Sequence, residues 1–281
     1  MSDPLSGKML EDYYRRQYVR RAILDFVHSG RPFPIRECAF YNRRVKSLQR
    51  YLVFPDHRRR PVVLDSDVSF ETALRSGAMA FYCSYWRYAR PSELIGPIGR
   101  DLVWTIRAKS GGLQFAKQVT ISSLRTLESE GFYHPWVKYS GTLGFDIIIP
   151  FETISDGIPA NSSSLDEAQK MLTRRIASHL AHEGYRVKLD GSKVVIKSGS
   201  DTCLLSELWW SRGLLLAPMS LHPNSGLVSV PIAPEDVQNF SVLEASPENI
   251  HTYRWGFIRR DQERLVPATE WRSPAHGSAL V

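Results

Sequence analysis

The sequence predicts an α+β fold built on largely antiparallel sheets, and three observations carry that expectation. Strand-like and helix-like segments mix without the strict alternation that a parallel sheet requires. Two strand pairs, 136–139 with 145–151 and 185–189 with 193–197, are joined by short turns, which only antiparallel neighbours allow. Two amphipathic segments, 113–130 and 164–183, are long enough as helices to cover a sheet face.

Taken in order, residues 10–28 read as one helix. Tyr14, Tyr18, Ala22, Ile23 and Phe26 recur on one side with arginines on the other, and Gly30, Pro32 and Pro34 end it. Segments 35–42 and 48–54 read as strands around a basic turn, 42–46. Residues 57–60 read as an exposed basic loop before a short strand at 61–64, followed by a helix at 68–76 and a strand at 78–85. Pro91, Gly96, Pro97 and Gly99 mark a loop. The run DLVWTIRA, 101–108, is rich in β-branched and aromatic residues and reads as a strand; Gly111 and Gly112 then open the helix 113–130. After the pair 136–139 and 145–151 comes a polar loop, 153–163. Ser164 and Glu167 form a capping box for a helix whose apolar face is Leu165, Ala168, Leu172, Ile176 and Leu180. Asp190–Gly191 is a two-residue hairpin signal between 185–189 and 193–197. The last strands are 214–216 and 227–232, and the chain from about 262 reads as a polar tail.

Composition narrows the function. The 281 residues are 43% hydrophobic and 23% charged, which suits a globular protein of one or two domains. No apolar run is long enough to span a bilayer, and the first residues lack the apolar region of a secretory signal. Cys38, Cys83 and Cys203 are scattered, odd in number and without a C-x-x-C pair, which argues against a disulfide framework or a zinc knuckle and predicts a cytoplasmic protein. The net charge of +7 is uneven: residues 1–100 hold 18 Lys/Arg against 10 Asp/Glu, and the rest of the chain sums to −1. Arg43, Arg44, Lys46, Arg50, Arg58, Arg59 and Arg60 form the main cluster, interleaved with Phe40, Tyr41, Tyr51 and Phe54. Arginine suits bidentate phosphate contacts and aromatics stack bases, so this strip is the expected nucleic-acid surface; the same residues also suit a solvated helix face and a charged loop.

Three local signatures occur in order: R-E-C-A-F at 36–40; DLVWTIRA at 101–108 with Y-S-G-T-L-G-F-D at 139–146; and P-M-S-L-H-P-N at 218–224. Their order and spacing resemble the catalytic small subunit of archaeal and eukaryotic DNA primase, and more distantly the polymerase domain of bacterial end-joining ligases. The resemblance is archaeal in look and divides the chain into a primase-small-subunit-like domain, 1–235, and a C-terminal extension, 236–281. It implies an archaeo-eukaryotic primase-like fold: two mostly antiparallel sheets with flanking helices, one half similar to an RNA-recognition module. It also implies template-directed primer synthesis from nucleoside triphosphates in replication or repair, with Mg²⁺ or Mn²⁺ held by aspartates. Two of those aspartates form a D-x-D on the strand matching 101–108, where alternation aims both at one face.

The D-x-D positions here are Thr105 and Arg107. Threonine is a poor magnesium ligand, and arginine carries no lone pair to offer. A guanidinium ~4 Å from a divalent ion is repelled by roughly 8 kcal/mol at an effective dielectric of ~20. The third aspartate falls near Trp210–Ser211, with Asp201 and Glu207 the nearest carboxylates. The family's phosphate-facing histidine is replaced by Asp146, expected to repel phosphate; its arginine and lysine are replaced by Leu216 and Asn224. The resemblance leaves nucleotide contacts at Ser140, Gly141, Gly144, Ser220 and His222, residue types that serve equally as conformational devices.

The leading expectation is therefore a primase homologue without catalytic or metal residues and without a cofactor. It binds DNA or primed template through the basic N-terminal third, and possibly another primase, replication or repair subunit. One alternative is an active nucleotidyltransferase using Mg²⁺ or Mn²⁺ on relocated carboxylates such as Asp101, Asp146 or Glu152; another is an assembly subunit that binds no nucleic acid. Other clusters favour blander roles: His179, His182 and Glu183 as a helix end rather than a zinc site, Asp65 and Asp67 as a helix cap, and Trp209–Trp210 and Trp255–Phe257 as core. Ser140 stands in no nucleophile motif.

Overall fold

The computed structural model describes residues 7–53, 58–154, 162–208, 210 and 212–250. The N-terminal pattern resolves into two helices, α1 (Gly7–Tyr14) and α2 (Gln17–His28), rather than one. Arg16 between them has extended backbone, and Tyr13 and Tyr14 both bury beneath the break. The Tyr13 hydroxyl donates to Met219 O (2.8 Å) and that of Tyr14 to Met79 O (3.1 Å), so each buried phenol has its partner.

Next come β1 (Cys38–Asn42), β2 (Ser47–Gln49), β3 (Tyr51–Val53), β4 (Arg59–Pro61), α3 (Asp67–Arg75) and β5 (Ala78–Ser84). Arg59 and Arg60 lie in a strand paired with β3, not in a loop. The Pro/Gly-rich stretch expected to be a loop is a hairpin, β6 (Trp86–Arg90) and β7 (Ile95–Arg100), where Pro97 opposes Tyr88. This hairpin is a separate two-stranded sheet, where proline's missing donor is tolerated. Then follow β8 (Leu102–Ala108), α4 (Gly112–Ser129), β9 (Trp136–Tyr139), β10 (Gly144–Ile149) and α5 (Ser162–His182). Because α5 starts at Ser162, Ser164 lies inside the helix rather than capping it. The chain continues through β11 (Arg186–Asp190), β12 (Lys193–Ser198), β13 (Asp201–Leu208), β14 (Leu214–Leu216) and β15 (Pro231–Ile232). The β11–β12 turn is Gly191–Ser192, one residue later than expected, with Gly191 at φ +59°.

Two antiparallel sheets organise these elements. One runs β14-β5-β1-β2, the other β11-β12-β13-β8-β10-β9-β15. One face of the larger sheet, with Trp104, Ile106, Phe145, Ile147, Leu205 and Ile196, is buried and packs on α4 and α5. The Trp104 indole donates to Thr173 on α5 (2.8 Å). Core packing continues past residue 235: Val237, Phe240, Ala245 and Ile250 are buried, and the Phe240 ring lies 4.9 Å from that of Tyr139. The three cysteines are buried and free.

Candidate functional site

The other face of the larger sheet holds the site. Strand register places directly paired residues on one side, so its composition can be read row by row. One row runs Asp190, Lys193, Ser206, Thr105, Asp146, Lys138; its neighbour runs Lys188, Val195, Leu204, Arg107, Gly144. Thr105 and Arg107 thus share this face, as alternation predicts, with Asp146 directly opposite Thr105. Beside them on β13 stand Leu204 and Ser206. The sequence predicts no strand here, and the resemblance puts an acidic partner near Trp210–Ser211; Ser211 lies outside the described residues. Asp201 and Glu207 alternate onto the helix-covered face. Glu207 is buried there, and burial raises its carboxyl above the ordinary value.

Asp146 is enclosed by cations. Its Oδ1 accepts from Arg107 (2.5 Å), and its Oδ2 accepts from the Lys138 ammonium. Lys138, fully buried, also donates to Ser229 Oγ (3.0 Å). Burial alone would raise the Asp146 carboxyl; Arg107 and then Lys138 reverse this and hold it below its ordinary value. The expectation that Asp146 repels phosphate is therefore corrected: the trio sums to one positive charge. Arg107 further donates to Ile106 O and Phe145 O, which fixes its guanidinium against the sheet.

The turn after β9 and the segment 219–227 come together at this edge. Gly141 has φ +80°, and a Cβ there would lie 2.6 Å from His222 Cβ. Ser225 Oγ donates to Gly141 O (2.6 Å). His222 Nδ1 accepts from the backbone N–H groups of Asn224 and Ser225, both 3.3 Å away, so the neutral ring carries its proton on Nε2. Burial, then Arg107 and Lys138, lower the His222 pKa. Ser220 is fully buried; its Oγ accepts from Phe81 N–H (2.7 Å) and meets Tyr14 OH (3.3 Å). Ser140 Oγ pairs with Thr142 Oγ1 (3.0 Å). Gly144 lets β10 approach β8, because a Cβ there would sit 1.8 Å from Ile106 O.

The relocated carboxylates fall into two separate networks. Asp101 is fully buried between Arg36 (2.7 Å) and Arg87, and it accepts from Phe151 N–H (2.9 Å); Arg87 also binds Glu152 (2.8 Å). Asp146 belongs to the Arg107–Lys138 pair instead. Arg36, in the first signature, lies 4.2 Å from the Phe26 ring centroid. Its neighbour Glu37 accepts from Arg50 (2.8 Å) and Arg212 (2.6 Å).

The basic N-terminal residues lie along the edge strand β2, its turn and the β3–β4 hairpin. Arg44, Lys46, Arg58, Arg59 and Arg60 are exposed, whereas Arg43 and Arg50 are half-buried, Arg50 being engaged by Glu37. Val45, Leu48, Tyr51 and Val53 are exposed among them. His179 contacts Glu183 (3.4 Å), which also accepts from Ser122. Asp65 accepts from Ser66, the N-cap of α3. Trp209 and 255–257 lie outside the described residues, and Trp210 is exposed. Among the described residues no three His, Cys, Asp or Glu side chains gather as a metal site, and no helix is long and apolar enough to cross a membrane.

No protein-family model and no curated protein matches this sequence. Among solved structures, the polymerase domain of Mycobacterium tuberculosis ligase D, in complex with DNA, matches over 83% of this chain and 83% of that one, with a TM-score of 0.57 and 17% identity. At that identity the likeness is one of fold: the chain has an α+β, archaeo-eukaryotic primase-like architecture.

Proposed function

We propose that this chain, with its primase-like fold, is a homologue of the DNA primase small subunit that has lost primer synthesis and works as a nucleic-acid-binding or partner-binding subunit. One observation carries the reading. At the two positions where the family resemblance requires metal-holding aspartates stand Thr105 and Arg107, and the nearby Asp146 has both oxygens engaged by cations. Two-metal nucleotidyl transfer needs free carboxylates to seat the ions. These residues do not fit a divalent pair: one neutral hydroxyl, one guanidinium and one neutralised carboxylate leave no coordinating set.

The chemistry left at the site is binding. The His222 Nε2–H, the Arg107 guanidinium and the net charge of the trio suit an anion such as a phosphate. The exposed Arg44, Lys46, Arg58, Arg59 and Arg60 suit a nucleic-acid backbone. The neighbouring fold in ligase D was solved bound to DNA, which agrees with this reading.

A primer-synthesis assay with labelled nucleoside triphosphates, a single-stranded template and Mg²⁺ or Mn²⁺ tests it. The expected outcome is no metal-dependent extension by the pure protein. Robust extension that Asp146→Ala abolishes would establish the active alternative and end this reading. An assembly subunit without nucleic-acid affinity is separated by salt: retention of single-stranded or primed DNA that falls steeply as salt rises marks phosphate contacts.

A further inference from the structure

Charge counted along the chain hides a second basic surface. Residues 101–281 are nearly balanced, yet strand pairing sorts their charges by face. On the open face of the larger sheet, Arg186, Lys197 and Thr202 form a third row, which Lys109 extends through its backbone bond to Thr202 O (2.8 Å). Together with Lys188 and Arg107 in the next row and Lys193 in the one after, six cations stand on one side of β11, β12, β13 and β8. Five are exposed, and Arg107 is about one-third exposed. Strand spacing and rise put them within an area roughly 14 Å by 13 Å. Lys109, Arg186, Lys188, Lys193 and Lys197 make no ion pair or side-chain hydrogen bond among the described residues. The carboxylates on these rows are Asp146, already neutralised, and Asp190 at the margin.

We infer that this open face of β11–β12–β13 and the end of β8 is a phosphate-backbone surface for nucleic acid, distinct from the basic N-terminal strip. The inference deepens the nucleic-acid reading above and rests on it. Like charges held on a rigid sheet without counter-ions repel one another, and a polyanion relieves that repulsion. The residue types favour nucleic acid over an acidic protein. Four of the six cations are lysines, a type depleted at protein–protein interfaces, and no aromatic anchor stands among them. Without aromatics the face is suited to sequence-independent phosphate contacts rather than base stacking.

Fluorescence anisotropy on the full chain tests this, with labelled single-stranded and duplex 20-mers as separate probes and salt as the variable. The variant K188Q/K193Q/K197Q changes only exposed side chains, and its unfolding midpoint should match that of the parent. Expected is at least a tenfold loss of affinity, with a log–log salt slope reduced by about 2 on the single strand or about 3 on the duplex, corresponding to three lost phosphate contacts. The probe that shows this loss identifies the preferred strand form. A parallel variant, R44Q/K46Q/R59Q/R60Q, separates the two surfaces. If only that variant weakens binding, the inference fails while the nucleic-acid reading stands. If the parent binds neither probe, both fail. Binding of poly-glutamate but of no nucleic acid would also overturn it, in favour of an acidic partner.

Discussion

Lys138 shows how much a single side chain can carry at this site. It is fully buried, and its ammonium meets Asp146 and Ser229. Removing Lys138 leaves one Asp146 oxygen and Ser229 Oγ without their buried donor, while Arg107 still holds the other oxygen, at a cost of about 1–3 kcal/mol. Lys138→Met should therefore lower unfolding stability by that amount in urea titration, and the double variant K138M/D146L should recover part of it. If the single variant is as stable as the parent, the cluster is not the buried pair described. The shared face of Thr105 and Arg107 is legible in the sequence, because residues two apart on a strand point the same way. The pairing that neutralises Asp146 is not. Lys138 and Asp146 are eight residues apart, and the turn between their strands, not their spacing, sets them opposite.

Among elements, the central strands show what local pattern can and cannot report. DLVWTIRA reads as a strand because β-branched and aromatic residues dominate it, and β8 follows. The adjacent β13, DTCLLSEL, carries acidic and small polar residues and has no local strand pattern, although its register with β8 supplies the floor of the site. Its place between β12 and β8 decides its conformation, which intrinsic preference does not. Gly144 likewise has a steric role that composition does not reveal. Gly144→Ala would drive a Cβ into the Ile106 carbonyl, and a loss of about 1–3 kcal/mol is expected from the forced backbone shift. Thermal unfolding checks this, and an unchanged midpoint would remove close approach as the reason for the glycine.

Across the whole molecule, the two sheets are tied by buried charge. Arg36 precedes β1 and also donates to Phe26 O at the end of α2 and to Ser84 O on β5, while Asp101 precedes β8. Burial would raise the Asp101 carboxyl; Arg36 and Arg87 overcome it and hold the value below the ordinary one. A carboxyl depressed in the folded state binds its proton more readily when unfolded. The stability it contributes is complete above the unfolded value, about 3.9, and is lost as pH falls through the lower folded value. Asp101 and Asp146 together should make urea midpoints fall below about pH 4. Asp101→Asn should be less stable at neutral pH and should show a shallower acid loss; the parent's acid slope in that variant would contradict the assignment.

The sequence by itself determined the α+β class, most element positions and that Thr105 and Arg107 share one strand face, because periodicity and residue chemistry are local properties. Only the tertiary structure decided that Asp146 is neutralised, that Asp101 and Asp146 serve different networks, and that scattered lysines and arginines of the second half share one sheet face. Those outcomes depend on which strands pair and in what register, and pairing between distant segments is settled by packing rather than by any single stretch of chain.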